Sequence, residues 1–300
     1  MAGPNWTVPG LDAAWCAAPV LADSLSGRLV EQPVSPASVL KLPIALAAEA
    51  AIAAGDVDGM ARVTLRPEHR TSGPVGMSLM ADPVEMSVRD LVVPMLTISD
   101  NVATDALLKV VGVDRINSFT TALGLPLTAV TGDLAMTLDG VARDCGFSGY
   151  PQLAAHDPAV DGPPSESDLR AAIYMSAALD PGRGWRTTPA EMVALLRSVW
   201  RDEAAAPDVC ARVRSLLGRQ LTRNRIASGF GPGWAVAAKS GGLLGVVRNE
   251  VGVITAPDGE SFAVAIFTRR QPDATPDPAR TDAAIGRLAR ELVESLRRAR

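Results

Sequence analysis

The chain has 300 residues, 47 % hydrophobic and 21 % charged, with a formal net charge of −4. That size and balance describe an ordinary globular protein with room for two structural layers or two domains. Its arginines are scattered and the net charge is acidic, which argues against a nucleic-acid partner, and no apolar run reaches the roughly 20 residues of a membrane span. The three cysteines Cys16, Cys145 and Cys210 are odd in number and have no metal-ligand spacing, so they read as reduced thiols. The N-terminus has no basic segment followed by an apolar run. No signal peptide is therefore visible, and the expected location is cytoplasmic.

In chain order, Trp15 to Val20 and Gly27 to Val30 are short candidate strands joined by the turn Asp23-Ser-Leu-Ser-Gly27. Pro36 to Gly55 reads as a buried helix, apolar nearly all round after Lys41. Ser38 and Lys41 sit three apart and so share a face. This puts an amine where it can take a proton from a hydroxyl, near the positive end of a helix dipole. The plainer alternative is a capping serine followed by a solvated lysine. Lysine usage favours chemistry, because Lys41, Lys109 and Lys239 are the only lysines in a chain that otherwise uses arginine for positive charge. Arginine does not give up its proton, so a general base has to be lysine.

A loop-rich stretch follows Gly55, and Ser87 to Thr97 then opens with a capping serine and runs helical, with a bend expected at Pro94. Ser99-Asp100-Asn101 is turn chemistry, and Asn101 can also cap the next helix, Val102 to Val111. Another helix runs from about Asp114 to Leu123. Leu134 to Val141 and Ser167 to Ala178 look helical, with Gly146 to Pro164 between them as a long loop. Thr187 to Met192 starts a helix with a threonine cap, Pro189 at its first position and Glu191 at its third. One more helix covers Val209 to Leu217.

The last eighty or so residues change period. Ala235 to Gly242 is a small-residue strand ending in glycines that would let a ligand lie against the backbone, though an edge strand entering a turn reads the same way. Gly245 to Ile254 and Ser261 to Thr268 are strands separated by a hairpin signal at Ala256 to Gly259, and Thr281 to Arg300 is an amphipathic helix. Strands at both ends with helices between them predict one sheet in which the N-terminal strands rejoin the C-terminal hairpin.

Ser38-Val-Leu-Lys41, Ser99-Asp-Asn101 and Lys239-Ser-Gly241, in that order, resemble the three motifs of the class A β-lactamases and penicillin-binding proteins. The resemblance spans roughly Ser35 to the C-terminus. It implies an α+β fold: an antiparallel sheet flanked by terminal helices (residues 1–35 and 222–300) with a mostly helical domain inserted (36–221). By resemblance, Ser38 is the nucleophile, Lys41 its general base and Ser99 a proton relay to the leaving nitrogen. Asn101 would hold the substrate's amide side chain. Lys239 supplies positive charge, Ser240 and Arg248 meet a substrate carboxylate, and the N–H groups of Ser38 and Gly242, beside Gly241, form an oxyanion hole.

One part of the pattern departs from the family. Class A enzymes carry a deacylating glutamate in Glu-x-x-Leu-Asn, and the segment at that distance here, Thr131 to Thr137, has none. Glu166 and Asp133 are the candidate replacements; Glu166 also reads as the acidic first turn of a helix. There is no Gly-x-Ser-x-Gly elbow, and His69 and His156 sit in loop-like stretches, so a Ser-His-Asp triad fits poorly. Nothing supports a nucleotide, metal or other cofactor. The expected activity is a Ser/Lys acyl-enzyme hydrolase acting on a small carboxylate-bearing lactam, amide or ester. The alternative is a sensor or binding module that is acylated without turnover.

Overall fold

A computed structural model describes residues 6–299. In β1 (Leu11–Pro19) side chains alternate between two faces. Cys16 and Ala18 enter the core shared with the helices, while Trp15 and Ala17 enter the core on the other face. β2 (Ser26–Arg28) pairs antiparallel with β1, after which the chain leaves the sheet. The helix expected over residues 36–55 is split: a 3₁₀ turn, Ala37–Leu40, precedes α1 (Lys41–Ala53). The cause is local, since Ala37 has φ 49° and no α-helix passes through that conformation.

β3 (Arg62–Leu65) and β4 (Val84–Ser87) form a small separate sheet in the stretch read as loop. Each strand is only four residues long and no tight-turn signal joins them, so their pairing left no mark in the sequence. Then come α2 (Val88–Thr97), α3 (Asn101–Val111), α4 (Val113–Ala122) and α5 (Leu134–Asp144). The stretch expected as a long loop holds α6 (Tyr150–Ala155) and α7 (Pro158–Asp161), each with proline in its first two positions, where proline starts helices. After them come α8 (Glu166–Met175), α9 (Pro189–Trp200) and α10 (Pro207–Gly218).

The chain re-enters the sheet through β5 (Ala235–Leu243), β6 (Val247–Thr255) and β7 (Ser261–Arg270) and finishes in α11 (Pro278–Arg298). The strand order is β2-β1-β7-β6-β5, antiparallel throughout, with Leu11 opposite Arg270 and Pro19 opposite Phe262. The N-terminal strands thus rejoin the C-terminal hairpin, and ten helices lie between β2 and β5. The apolar stripe of α11, Ile285, Leu288, Leu292 and Leu296, packs on Trp15, Phe262 and Ile266. Each such side chain contributes roughly 1.5–3 kcal/mol, so packing holds this helix in place. No helix precedes β1 among the described residues, so α11 is the only terminal helix there. All three cysteines are free. No helix among the described residues is long and apolar enough to cross a membrane.

Candidate active site

Ser38 is half-buried in the 3₁₀ turn, directly after the left-handed Ala37. A non-glycine residue in that region costs on the order of 1–3 kcal/mol and persists only where its surroundings hold it. Asn249 Nδ2 donates to Ser35 O at 3.0 Å and Pro36 O at 3.1 Å, fixing the backbone that enters the turn. Gly241 closes on the same turn. A Cβ there would stand 2.6 Å from Pro36 O and 3.1 Å from Val39 N. That glycine is needed by the serine turn itself, whereas the sequence suggested that it makes space for a ligand. Gly242, by contrast, is exposed and lines the cleft beside Ser38.

Lys41 opens α1 and is fully buried. Its Nζ donates to Ser99 O at 2.7 Å, Ser99 Oγ at 3.2 Å and Asn101 Oδ1 at 2.8 Å. Lys239, equally buried on β5, donates to Ser99 Oγ at 3.0 Å and to Ser240 O at 2.8 Å. Two amines therefore share one hydroxyl oxygen, using both its lone pairs and turning its hydrogen away from them. Ser99 has φ 62°, a second strained residue at the same place.

The helix cap at this turn is Asp100 and not Asn101. Asp100 accepts from Ala103 N at 3.0 Å and Met77 N at 2.7 Å. Gly76 permits that approach, because a Cβ there would fall 2.1 Å from Asp100 Oδ2. Released from capping, Asn101 faces Lys41 with Oδ1 and donates from Nδ2 to Ser72 O at 2.8 Å.

Burial pushes the Lys41 amine down to about 7, with Asp100 and Asp105 pulling the other way. Lys239 lies well below its ordinary value, first through burial, then through the positive charges of Lys41 and Arg225, against the pull of Glu250. Burial thus weakens both amines as bases, and the Lys41 amine gives up its proton close to neutral pH. Ser38 Oγ makes no hydrogen bond to Lys41, whose three N–H groups go to Ser99 and Asn101. Losing one of those protons opens a lone pair on the same nitrogen, and contacts to a catalytic base often tighten only when substrate arrives.

Behind β5 lies a support that the sequence did not reveal. Ser240 is buried and its N–H donates to Gln220 Oε1 at 2.5 Å; Gln220 Nε2 donates to Glu250 Oε1 at 3.0 Å. Arg225, also buried, donates from Nη1 to Gly241 O at 2.8 Å and Asn249 O at 2.5 Å, and from Nε to Asp282 Oδ1 at 3.0 Å. Glu250 could have been found as the residue opposite Ser240 in the β5–β6 register. Arg248 is turned to the same α11 carboxylate. Its Nε reaches Asp282 Oδ1 and its Nη2 donates to Asp282 Oδ2 at 2.5 Å, so the α11 carboxylate orients this arginine and leaves its Nη1 uncommitted.

Neither candidate deacylation residue lines the cavity beside Ser38. Glu166 opens α8 with its side chain 80 % exposed and pairs with Arg170 at 3.2 Å. Asp133 caps α5, accepting from Met136 N at 2.7 Å. What faces Ser38 is Leu134, Thr137, Leu138, Leu179, Trp185 and Leu243, around a cavity of about 40 Å³, and no carboxylate lines it. The acid tied into this wall is Asp105, which stands one helical turn after Asn101. It accepts from Thr71 Oγ1 at 2.5 Å, Leu134 N at 2.8 Å and Ala135 N at 3.1 Å. Among the described residues no group of three or more His, Cys, Asp or Glu could hold a metal ion.

An antiparallel sheet with inserted helices, meeting at a serine and two buried lysines, is the scaffold of the β-lactamases and penicillin-binding proteins. The chain belongs to the β-lactamase enzyme family, whose model matches residues 26–296. It is 30 % identical over 273 residues to the β-lactamase regulatory protein BlaB of Streptomyces cacaoi, covering 87 % of this chain and 85 % of that one. In fold it is similar to PBP-A, with TM-score 0.74 and 20 % identity over 97 % of this chain and 92 % of that chain. A variant of PBP-A solved as an acyl-enzyme with penicillin G matches with TM-score 0.73 and 19 % identity, over 97 % and 92 %.

Proposed function

We propose that this protein forms a long-lived acyl-enzyme through Ser38 and works as a sensor or binder of carboxylate-bearing lactams, amides or esters. Ser38 Oγ attacks the carbonyl carbon, its proton passes to Lys41, and the N–H groups of Ser38 and Gly242 receive the oxyanion. Ser99 gives its proton to the departing nitrogen and regains one through the lysine pair, while Lys239 and Ser240 receive the substrate carboxylate. Asn101 orients the acylated amide side chain. The observation that carries the reading is the largely apolar wall beside Ser38, because the small cavity there is lined by no carboxylate that could activate water. A regulatory name on the Streptomyces cacaoi relative agrees with retention of the acyl group in place of its release.

A second reading is slow hydrolysis of the same substrates. It draws support from Lys41, a weakly basic amine next to Ser99 that can serve a deacylating water. Intact-mass analysis during incubation with penicillin G, run beside steady-state assays on a chromogenic cephalosporin and an aryl ester, separates the two. A stoichiometric adduct that outlasts the incubation, without sustained product release, supports the sensor. Continuous turnover of either chromogenic substrate rejects it in favour of the hydrolase.

A further inference from the structure

A cavity of about 340 Å³ lies between the sheet and the loop that precedes Ser38, and its lining includes none of the residues given a chemical step above. Small-ligand sites are typically pockets of roughly 300–1,000 Å³ with a few placed polar groups on an apolar wall. Here Phe267 and Val34 supply apolar wall, and Asp12 and Arg269 supply opposite charges. Those two residues stand directly opposite each other in the β1–β7 register, on the same sheet face. Opposite charges so placed ordinarily pair, yet no ion pair joins them among the described residues. Asp12 Oδ1 accepts from Gln271 Nε2 at 3.1 Å. Arg269 donates from Nη2 to Tyr174 O and lays its guanidinium 4.3 Å from the centre of the Tyr174 ring. Its Nε is closed off from the cavity, so Nη1, which makes no hydrogen bond among the described residues, is the donor that a ligand in the cavity can meet.

A simple anion entering this cavity would meet Asp12, and a simple cation would meet Arg269. A molecule carrying both charges satisfies both. We propose that the cavity is a binding site for a small zwitterion of the free apolar α-amino acid type, with its carboxylate on Arg269, its ammonium on Asp12 and its side chain against Phe267 and Val34. Ser35 and Asn249 also line the cavity, so the ligand sits against the asparagine that holds the backbone entering the Ser38 turn. Binding itself does not depend on acylation of Ser38.

Isothermal titration calorimetry on the full chain, with free leucine as probe and N-acetylleucine and leucinamide as controls lacking one charge, tests the site. Saturable binding of leucine is expected, with each control weaker by about tenfold or more. The Ser38→Ala variant should bind leucine like the parent, whereas Arg269→Gln and Asp12→Asn should each lose about tenfold or more. Asp12 is exposed, so its variant keeps the fold even where loss of the Arg269–Tyr174 contact does not. Absence of saturable leucine binding, equal binding of the controls, or undiminished binding to Asp12→Asn would overturn the proposal. So would loss of binding in Ser38→Ala.

Discussion

On one side of Ser38 lie two buried lysines, a strained serine and an asparagine, joined by hydrogen bonds of 2.7 to 3.2 Å; on the other lie Leu134, Leu138, Leu179 and Trp185. The first side keeps two amines and a hydroxyl in contact at the cost of backbone strain at Ala37 and Ser99. The second is held just as firmly, by Asp105 on the amides of Leu134 and Ala135 and by Trp185 Nε1 donating to Gly132 O at 3.0 Å, yet it brings nothing that titrates into the cleft. Under the proposed function, this difference would separate the two halves of an acyl-transfer cycle: bond formation at the serine would draw on the polar side, and release by water would need the side that is apolar here.

Removing the serine leaves the polar side with nothing to act on. Ser38→Ala should abolish covalent capture of penicillin G, read as complete loss of the mass-shifted species. Lys41→Ala should slow capture by about 10²–10⁴-fold, the usual contribution of a positioned base, measured by stopped-flow trapping. In the parent protein the capture rate should climb as pH rises through about 7, where the Lys41 amine sheds its proton. A capture rate flat from pH 5.5 to 8.5 would remove Lys41 from that role.

Adding an acid to the opposite wall sharpens the contrast. Thr137→Glu puts a carboxylate into the Ser38 cleft at a position that already carries a polar group, and the adduct lifetime should shorten by about 10²-fold. An unchanged lifetime would show that the wall is not what retains the acyl group. The stability of the polar side also carries a signature. Folded Lys41 releases its proton near pH 7, while an unfolded lysine keeps it up to about 10.5. Between those values the unfolded chain binds more protons, so stability should rise with pH across the window, and urea melts of Lys41→Met should show a shallower rise. The smallest effect belongs to Glu166→Gln. An exposed i,i+4 pair with Arg170 contributes about 0.3–0.5 kcal/mol, and neither capture nor release should change.

The polar side was legible in the sequence because its chemistry is local and its residue types are scarce. Two of three lysines fall inside short motifs, and Ser99 and Asn101 stand in a turn that their side chains favour. The sheet was legible through its period of two and the hairpin at Gly259, which has φ 89°. What escaped notice depends on partners far away in the chain. Asp100 took the cap expected of Asn101 because Met77, from a distant loop, donates to the same carboxylate. Glu191 fits a capping box, yet its carboxylate accepts from Leu127 N at 2.9 Å and Thr128 Oγ1 at 2.5 Å. Arg225 is one arginine among many until folding brings Gly241, Asn249 and Asp282 around it. The wall was invisible for the same reason: leucines in an amphipathic helix give no sign of which one will face a serine.

The pairing of β1 with β7 bears on when the molecule becomes reactive. Ser38 and Lys41 emerge early in synthesis, but the amine on β5 and the strand that closes the sheet come from the final quarter of the chain. Contacts spanning such distances form late in folding. Under the proposed function, a polypeptide still on the ribosome would hold an inert hydroxyl, and sensitivity to an acylating compound would arrive only when its tail has docked.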